Sequence, residues 1–479
     1  MRCNISALVS GGLLAVVLAT PAFAQYGART DTAVVPYPAE VPQMGEAGSC
    51  TIDPGFNSTI CAVTDANTDP SHPNTNFNTT NYSGLNAWNF GSTAFYFLDN
   101  QAAMWVAAFD PAIGAVKSLT KNGFGDLNHA EYSFTNPTTV TGTLAYPLIR
   151  QRKYGVETTL RDVRKDYQAS PIPYADDFEG DIAGDRYSLV AWPEQNIGRL
   201  FYVWDTKQGY TYLDTQTLTV TGQWGAKGKL IPQSPAAGVS PTPIQPFYIH
   251  QASLSRDGRW AVIAPGKGSN QEIVWQVGTR NAWAFSASGP NTFGIGTGGH
   301  DAVGYSTYYD TDGVLTTSWL PDYWVSLRLG RGGPIKPLAS TVMSRFKDYG
   351  SDYHVSALAA HGGNSLDQYP VLVSTEYVHN PHGVGVEPAA LAPYMNEIDG
   401  LCTNCSKPTI WRFAHTYHNY PPGRCCGPTG NVSQDGNWFV FTSNWACTRG
   451  LDTHGNCRTD VFVVNLQSAH PKEQSKERW

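Results

Sequence analysis

The chain has 479 residues, 39 Asp+Glu against 32 Lys+Arg, a formal net charge of −7, and 47 Gly, 32 Pro, 25 Tyr and 14 Trp. Charged residues reach only 15%, against about 25% in an average chain, while aromatics reach 12%. This composition excludes a coiled coil or long helical bundle, excludes disorder and, with no basic run, excludes nucleic acid as a partner; a large, turn-rich, all-β protein remains.

Met1 and Arg2 form a short positive region, residues 7–19 are apolar and small, and Ala22-Phe23-Ala24 supplies an A-x-A cleavage site before Gln25. Residues 1–24 therefore read as a secretory signal peptide, and the mature chain is expected in the periplasm or outside the cell. No later stretch reaches the roughly 18 apolar residues a bilayer needs, so no membrane span is expected. Cys3 precedes the apolar run and cannot be the lipid-bearing Cys of a cleaved leader. Residues 25–80 are rich in Pro, Asn and Thr and show no period. They read as an irregular N-terminal extension pinned by a Cys50–Cys61 loop.

Beyond Cys3 there are eight cysteines, an even count that in an exported chain reads as disulfides. Local pairing suggests Cys50 with Cys61 and Cys447 with Cys457. Cys402, Cys405, Cys425 and Cys426 read as two bridges between a C-x-x-C and a C-C cluster, with a four-thiolate zinc site as the rival. Ser406 after Cys405 rules out a C-x-x-C-H haem site.

Two segments are near copies: Leu254-Ser-Arg-Asp-Gly-Arg-Trp-Ala-Val-Ile and Val432-Ser-Gln-Asp-Gly-Asn-Trp-Phe-Val-Phe. Each predicts a strand, an Asp-Gly turn that tolerates positive φ, and a second strand opening on an aromatic. Degenerate copies start at Trp88, Tyr132, Ile182, Tyr309 and His354. Third strands are predicted at Met104–Asp110, Leu200–Asp205, Glu272–Trp275 and Val461–Val464. Turns to a fourth strand are predicted at Asp110-Pro-Ala-Ile-Gly114 and Asp205-Thr-Lys-Gln-Gly209. The count is seven units over residues 82–468, roughly 55 residues each, which is radial repetition of four-stranded sheets. A β-sandwich pair is the alternative. The repeat resembles the TolB-like, WD-type propeller repeat whose centre reads S-x-D-G-x-W. That resemblance implies an all-β, seven-bladed β-propeller over residues 81–470 with a tail at 471–479, and it does not by itself imply a function.

In such a ring the residues just before the innermost strands line one mouth. They are Asn86 and Trp88; Asn128, His129 and Glu131; Asp177 and Glu179; Tyr248, His250 and Gln251; His300, Asp301 and Tyr305; Tyr353 and His354; and Arg424. Imidazoles with an Arg and several Tyr suit an anionic ligand or a divalent metal. The alternative is that each His caps its own strand. The set resembles, in fold and residue type, propeller polysaccharide lyases of the oligogalacturonate-lyase kind. The resemblance implies β-elimination on an acidic polysaccharide or oligosaccharide. His250, His300 and His354 would hold a divalent metal (Mn, Zn or Ca) or the substrate carboxylate. Arg424 would clamp the uronate, and His129 or Tyr305 would be the base. Trp88, Asp177, Glu179 and Tyr248 would bind substrate. The rivals are a non-catalytic propeller binding a protein or glycan, and a metal-dependent hydrolase or oxidoreductase.

Glu376-Tyr377-Val-His379-Asn-Pro-His382 and His415-Thr-Tyr-His418 either reach the same mouth or merely decorate it, and Phe413-Ala-His415 reads as part of an outer strand. Gly294-Ile-Gly-Thr-Gly-Gly299 lacks a surrounding βαβ unit, so no nucleotide is expected. Asp310-Thr-Asp312-Gly is read as a turn without a calcium loop's oxygen ligands, and neither G-x-S-x-G nor H-E-x-x-H occurs.

Overall fold

A computed structural model describes residues 26–31, 35, 38–79, 87–122 and 430–468; between 123 and 429 it describes chiefly the strands given below, with residues 416–418. Among the described residues the strands form seven sheets, and the helical content is one 3-10 turn at Trp445–Cys447. Five sheets are built wholly from antiparallel strands that neighbour each other in chain order, as the repeat predicts, and in blade four Ile231–Pro232 adds in parallel beside the last strand, Asn281–Ser286. Blade one is Phe77–Asn78, Ala94–Asp99, Met104–Asp110 and Ala115–Lys121. The first strands of blades two to six are Asn128–Tyr132, Ala175–Asp181, Ile249–Leu254, Val303–Ser306 and Ser351–Ala360, and blade seven opens with Gly430–Val432.

First strands contact the next sheet from blade two to three, three to four, five to six and six to seven, and the second strand of blade four meets the first of blade five. The ring closes at both ends of the repeat. Tyr96, Met104 and Val106 of blade one pack with Tyr132 and Val140 of blade two. Trp88, Phe95, Phe97 and Phe109 pack with Trp438, Val440, Val461 and Val463 of blade seven. The chain is thus an all-β propeller repeat protein. A strand between two blades is covered on both faces, which is why Trp438–Ser443 is buried at every position and reads as a continuous apolar run. The outer strand Ala115–Lys121 is half exposed and carries Lys117 and Lys121, which discourage edge pairing.

Residues 25–80, irregular by their sequence, supply three strands, of which Phe77–Asn78 opens blade one. Thr59–Ala62 pairs with Asp460–Asn465 as the fourth strand of blade seven, and Cys50–Ile52 pairs outside it. The Cys50–Cys61 and Cys447–Cys457 bridges form as the local spacing predicts, a chemistry of oxidising compartments. The other four cysteines' side chains lie outside the described residues. One turn differs from expectation. Asp312 and Gly313 open the second strand of blade five, with Gly313 paired to Ser306, so these two belong to a strand and not to the expected turn.

Candidate functional site

The repeat's central motif is built from its own side chains. In Ser433-Gln-Asp-Gly-Asn-Trp438 the Gly436 N–H donates to the Ser433 carbonyl at 2.9 Å, with Gly436 at φ 72°. Ser433 Oγ donates to Asp435 Oδ1 and accepts from the Trp438 N–H at 3.0 Å, while Asp435 Oδ1 also accepts from the Asn437 N–H. Blade one builds the same reversal with Asn89, whose Oδ1 accepts from the N–H groups of Thr93 and Ala94. The two turns touch: the Asp435 N–H donates to Ser92 Oγ at 3.0 Å. These turns set the register of the first strands, and the first strands carry the candidate residues.

His129 and Glu131 lie within the first strand of blade two, Asp177 and Glu179 within that of blade three, and His250 within that of blade four. Tyr305 and His354 lie within the first strands of blades five and six. The sequence reading expects these residues just before the strands; the backbone puts them inside. Three of the strands are bulged there. The ladder shifts between Asn128 and Glu131, between Ala175 and Asp177, and between Ile249 and Gln251, so His129 and His250 each fall in a bulge. A bulge bends its strand and re-aims side chains, and such irregularities concentrate at rims and next to functional sites. Tyr248, His300 and Arg424 lie outside the described residues, as do the side chains of the other candidates above.

Trp88 is a correction. Expected to bind substrate at the mouth, it is fully buried in the seam between blades seven and one. Its Nε1–H donates to the Asn431 carbonyl at 3.0 Å, and its ring lies against Phe95 and Phe109, leaving no face for a sugar. His415 and His418 do not decorate a mouth either. His415 ends the outer strand of blade six, fully buried, with Nδ1 3.0 Å from Asp53 Oδ2 and Nε2 2.9 Å from the Val35 carbonyl. Burial opposes the charge on Asp53, but hydrogen bonds from His415 and Gly55 outweigh it and hold the carboxyl below its usual range. His418 accepts from the Asn444 N–H, and burial pushes it down to about 4.

Sequence reading missed a second polar group on that outer strand. Arg412 is buried and grips Glu397 with two bonds, Nε to Oε2 at 3.0 Å and Nη2 to Oε1 at 2.8 Å. Its Nη1 reaches the Asp31 carbonyl at 3.1 Å. The available signal was an Arg and a His among the aromatics of Trp411-Arg-Phe-Ala-His415; Glu397 lies 15 residues from Arg412, but Asp31 lies 381 residues from it, and Val35 and Asp53 lie 380 and 362 residues from His415. Among the described residues no group of three His, Cys, Asp or Glu is arranged to hold a metal ion.

No family model matches this chain, and no curated protein matches it. Solved structures resemble it remotely. The β-propeller domain of Cps50 (Swd1) from Myceliophteria thermophila is 8% identical, with 82% of this chain and 99% of that one covered at a TM-score of 0.39. The Dos1 propeller is 11% identical over 90% of this chain and 96% of that one, with a TM-score of 0.35. TolB from Acinetobacter baumannii is 11% identical over 53% of this chain and 55% of that one, with a TM-score of 0.29.

Proposed function

We propose that this chain is an exported propeller enzyme that takes an acidic polysaccharide or oligosaccharide at the mouth of its ring and cleaves it by β-elimination. What supports the reading is the register of the first strands. Five neighbouring blades carry His129, Glu131, Asp177, Glu179, His250, Tyr305 and His354 on their first strands, and bulges at His129 and His250 interrupt the ladder. The paired cysteines suit the exported state.

In a uronate the C5 proton becomes acidic only when the adjacent carboxylate is neutralised. In this proposal Arg424 is the two-pronged clamp on that carboxylate, and His250, His300 and His354 share in neutralising it. His129 or Tyr305 takes the C5 proton as general base, the C4–C5 double bond forms as the C4–O bond breaks, and a second acidic group protonates the leaving oxygen. If a divalent ion occupies the three-histidine set, it supplies Lewis-acid neutralisation of the carboxylate. The donor chemistry suits Zn or Mn; Ca, which prefers oxygen ligands, fits it poorly.

The test is a panel of acidic polysaccharides monitored for the ultraviolet absorbance of a new unsaturated uronate. Activity that His250→Ala and His300→Ala abolish is the expected result. No absorbance on any acidic glycan sinks the lyase reading and favours a propeller that only binds. Full activity in both variants moves the site elsewhere.

A further inference from the structure

Three first strands carry an extra residue at the same place. In Asn128–Tyr132 the ladder runs from Asn128 on Thr143 to Glu131 on Thr141, so His129 and Ala130 stand against the single residue Gly142. In Ala175–Asp181, Ala175 pairs with Ala191 and Asp177 with Val190, which leaves Asp176 unmatched. In Ile249–Leu254, Ile249 pairs with Pro265 and Gln251 with Ala264, which leaves His250 unmatched. His129, Asp176 and His250 are each the second residue of their strand. The first strands of blades five and seven run without a shift, and that of blade six shifts only further along, between Ser356 and Ala359. A bulge forfeits ladder pairing and bends its strand. Three at one level, on three consecutive blades, mark out one sector of the ring.

The three strands are neighbours. The first strand of blade three meets those of blades two and four, with Cα atoms coming within 8 Å. Successive blades are related by rotation about the axis, so equal positions on their first strands share one end of the ring. The backbone thus brings two imidazole-bearing residues and one carboxylate-bearing residue to one rim. Sequence reading passed over Asp176, because only the bulge distinguishes it from Asp177. Charge points the same way. The three strands carry Glu131, Asp176, Asp177, Glu179 and Asp181, and no Lys or Arg. Such a sector attracts a cation, and an anionic substrate passing it meets repulsion unless a cation is held there.

We propose that His129, Asp176 and His250 form a divalent-metal site of the zinc or iron(II) class, with two imidazole donors and one carboxylate donor. Three protein donors of these kinds are the set those ions take when coordination positions stay open for a further oxygen ligand. The site stands on the bulges and the charge alone. Its use for a uronate carboxylate rests on the lyase reading. The ion then belongs to Asp176 and two histidines rather than to His250, His300 and His354, and Tyr305 is left as the base.

The test uses the full chain, stripped of metal with a chelator and free of glycan. Zn²⁺ is titrated in a calorimeter and Co²⁺ by its visible absorbance. One ion per chain is expected, with Asp176→Asn and His129→Gln each weakening binding at least about tenfold. Asp177→Asn, His300→Ala and His354→Ala are expected to bind as the wild type does. Added Zn²⁺ is expected to raise the melting temperature of the wild type more than that of Asp176→Asn, while the two metal-free proteins melt together, which separates loss of a ligand from loss of fold. No uptake by the wild type, unchanged affinity in Asp176→Asn or His129→Gln, or loss in His300→Ala and His354→Ala alone overturns the site. Zinc binding with the expected dependence but no activity on any acidic glycan upholds the site and sinks only the lyase reading.

Discussion

Gly114 closes the hairpin between the third and fourth strands of blade one, and substituting it isolates the packing of the seam between blades one and seven. Its φ is +69°, and a Cβ built there falls on the Trp438 ring, overlapping Cη2 and reaching 2.8 Å from Cζ3. Trp438 cannot retreat easily, being 7% exposed and set edge-on to Phe109 at 5.1 Å. Left-handed backbone costs a residue with a Cβ about 1–2 kcal/mol, and overpacking a closed site adds about 1–3 kcal/mol. Gly114→Ala is therefore expected to destabilise by about 2–5 kcal/mol. Gly48 is the control, with φ +86° and nothing within 4 Å of its Cβ position, so Gly48→Ala carries the backbone cost alone, about 1–2 kcal/mol. Denaturant unfolding of both variants with unchanged m-values gives the difference directly. Adding Trp438→Phe to Gly114→Ala is expected to recover part of the loss, since the smaller ring vacates the contested space. Equal costs for the two glycine variants refute the close approach of blade one to Trp438.

The remaining predictions concern the N-terminal extension, the buried histidines and the seam. Asp53 is held below its usual carboxylate range in the folded chain, so its contribution is present above the unfolded value near pH 4 and is lost as pH falls through the folded value. Asp53→Asn is expected to cost about 3 kcal/mol at neutral pH, with the gap in melting temperature from wild type closing on acidification below about pH 4; a gap independent of pH refutes the ionic role. His418 is buried neutral with its value at about 4, below the unfolded value of 6.5, so stability falls as pH drops from about 6.5 towards about 4, and His418→Gln is expected to flatten that slope in a pH series of unfolding curves. Replacing Cys50 and Cys61 together by Ser, which opens a link of sequence separation 11, is expected to cost about 2–3 kcal/mol in non-reducing denaturation and nothing extra under reductant. Trp88→Phe removes the buried bond to the Asn431 carbonyl and is expected to lower stability by about 1 kcal/mol while leaving affinity for any bound glycan unchanged in titration calorimetry.

Legibility followed sequence distance. The Ser433–Trp438 reversal was readable because all its partners lie within a few residues and Asp-Gly is a local instruction. The first strands of the blades were readable because that reversal recurs at regular intervals and fixes where each sheet begins. Trp88 was misread for a related reason: it shares the repeat position of the mouth residues, but a sheet's two faces alternate residue by residue, and a one-residue offset turns a channel residue into a seam residue. The N-terminal extension was hardest to read. Tyr26 meets Gly436 across 410 residues and His415 meets Asp53 across 362, and its strands of three and four residues are too short for a period to show.

That ordering says something about how the ring is held. Contacts between successive blades form from chain already adjacent in sequence, and their loop-closure cost is modest. The seam between blade seven and the start of the chain has no such neighbour, and its strength must come from contacts that span nearly the whole length. The molecule answers with Trp438 on Phe109, the Asp435 N–H on Ser92, two added strands on blade seven, and the Tyr26 hydroxyl on the Gly436 carbonyl.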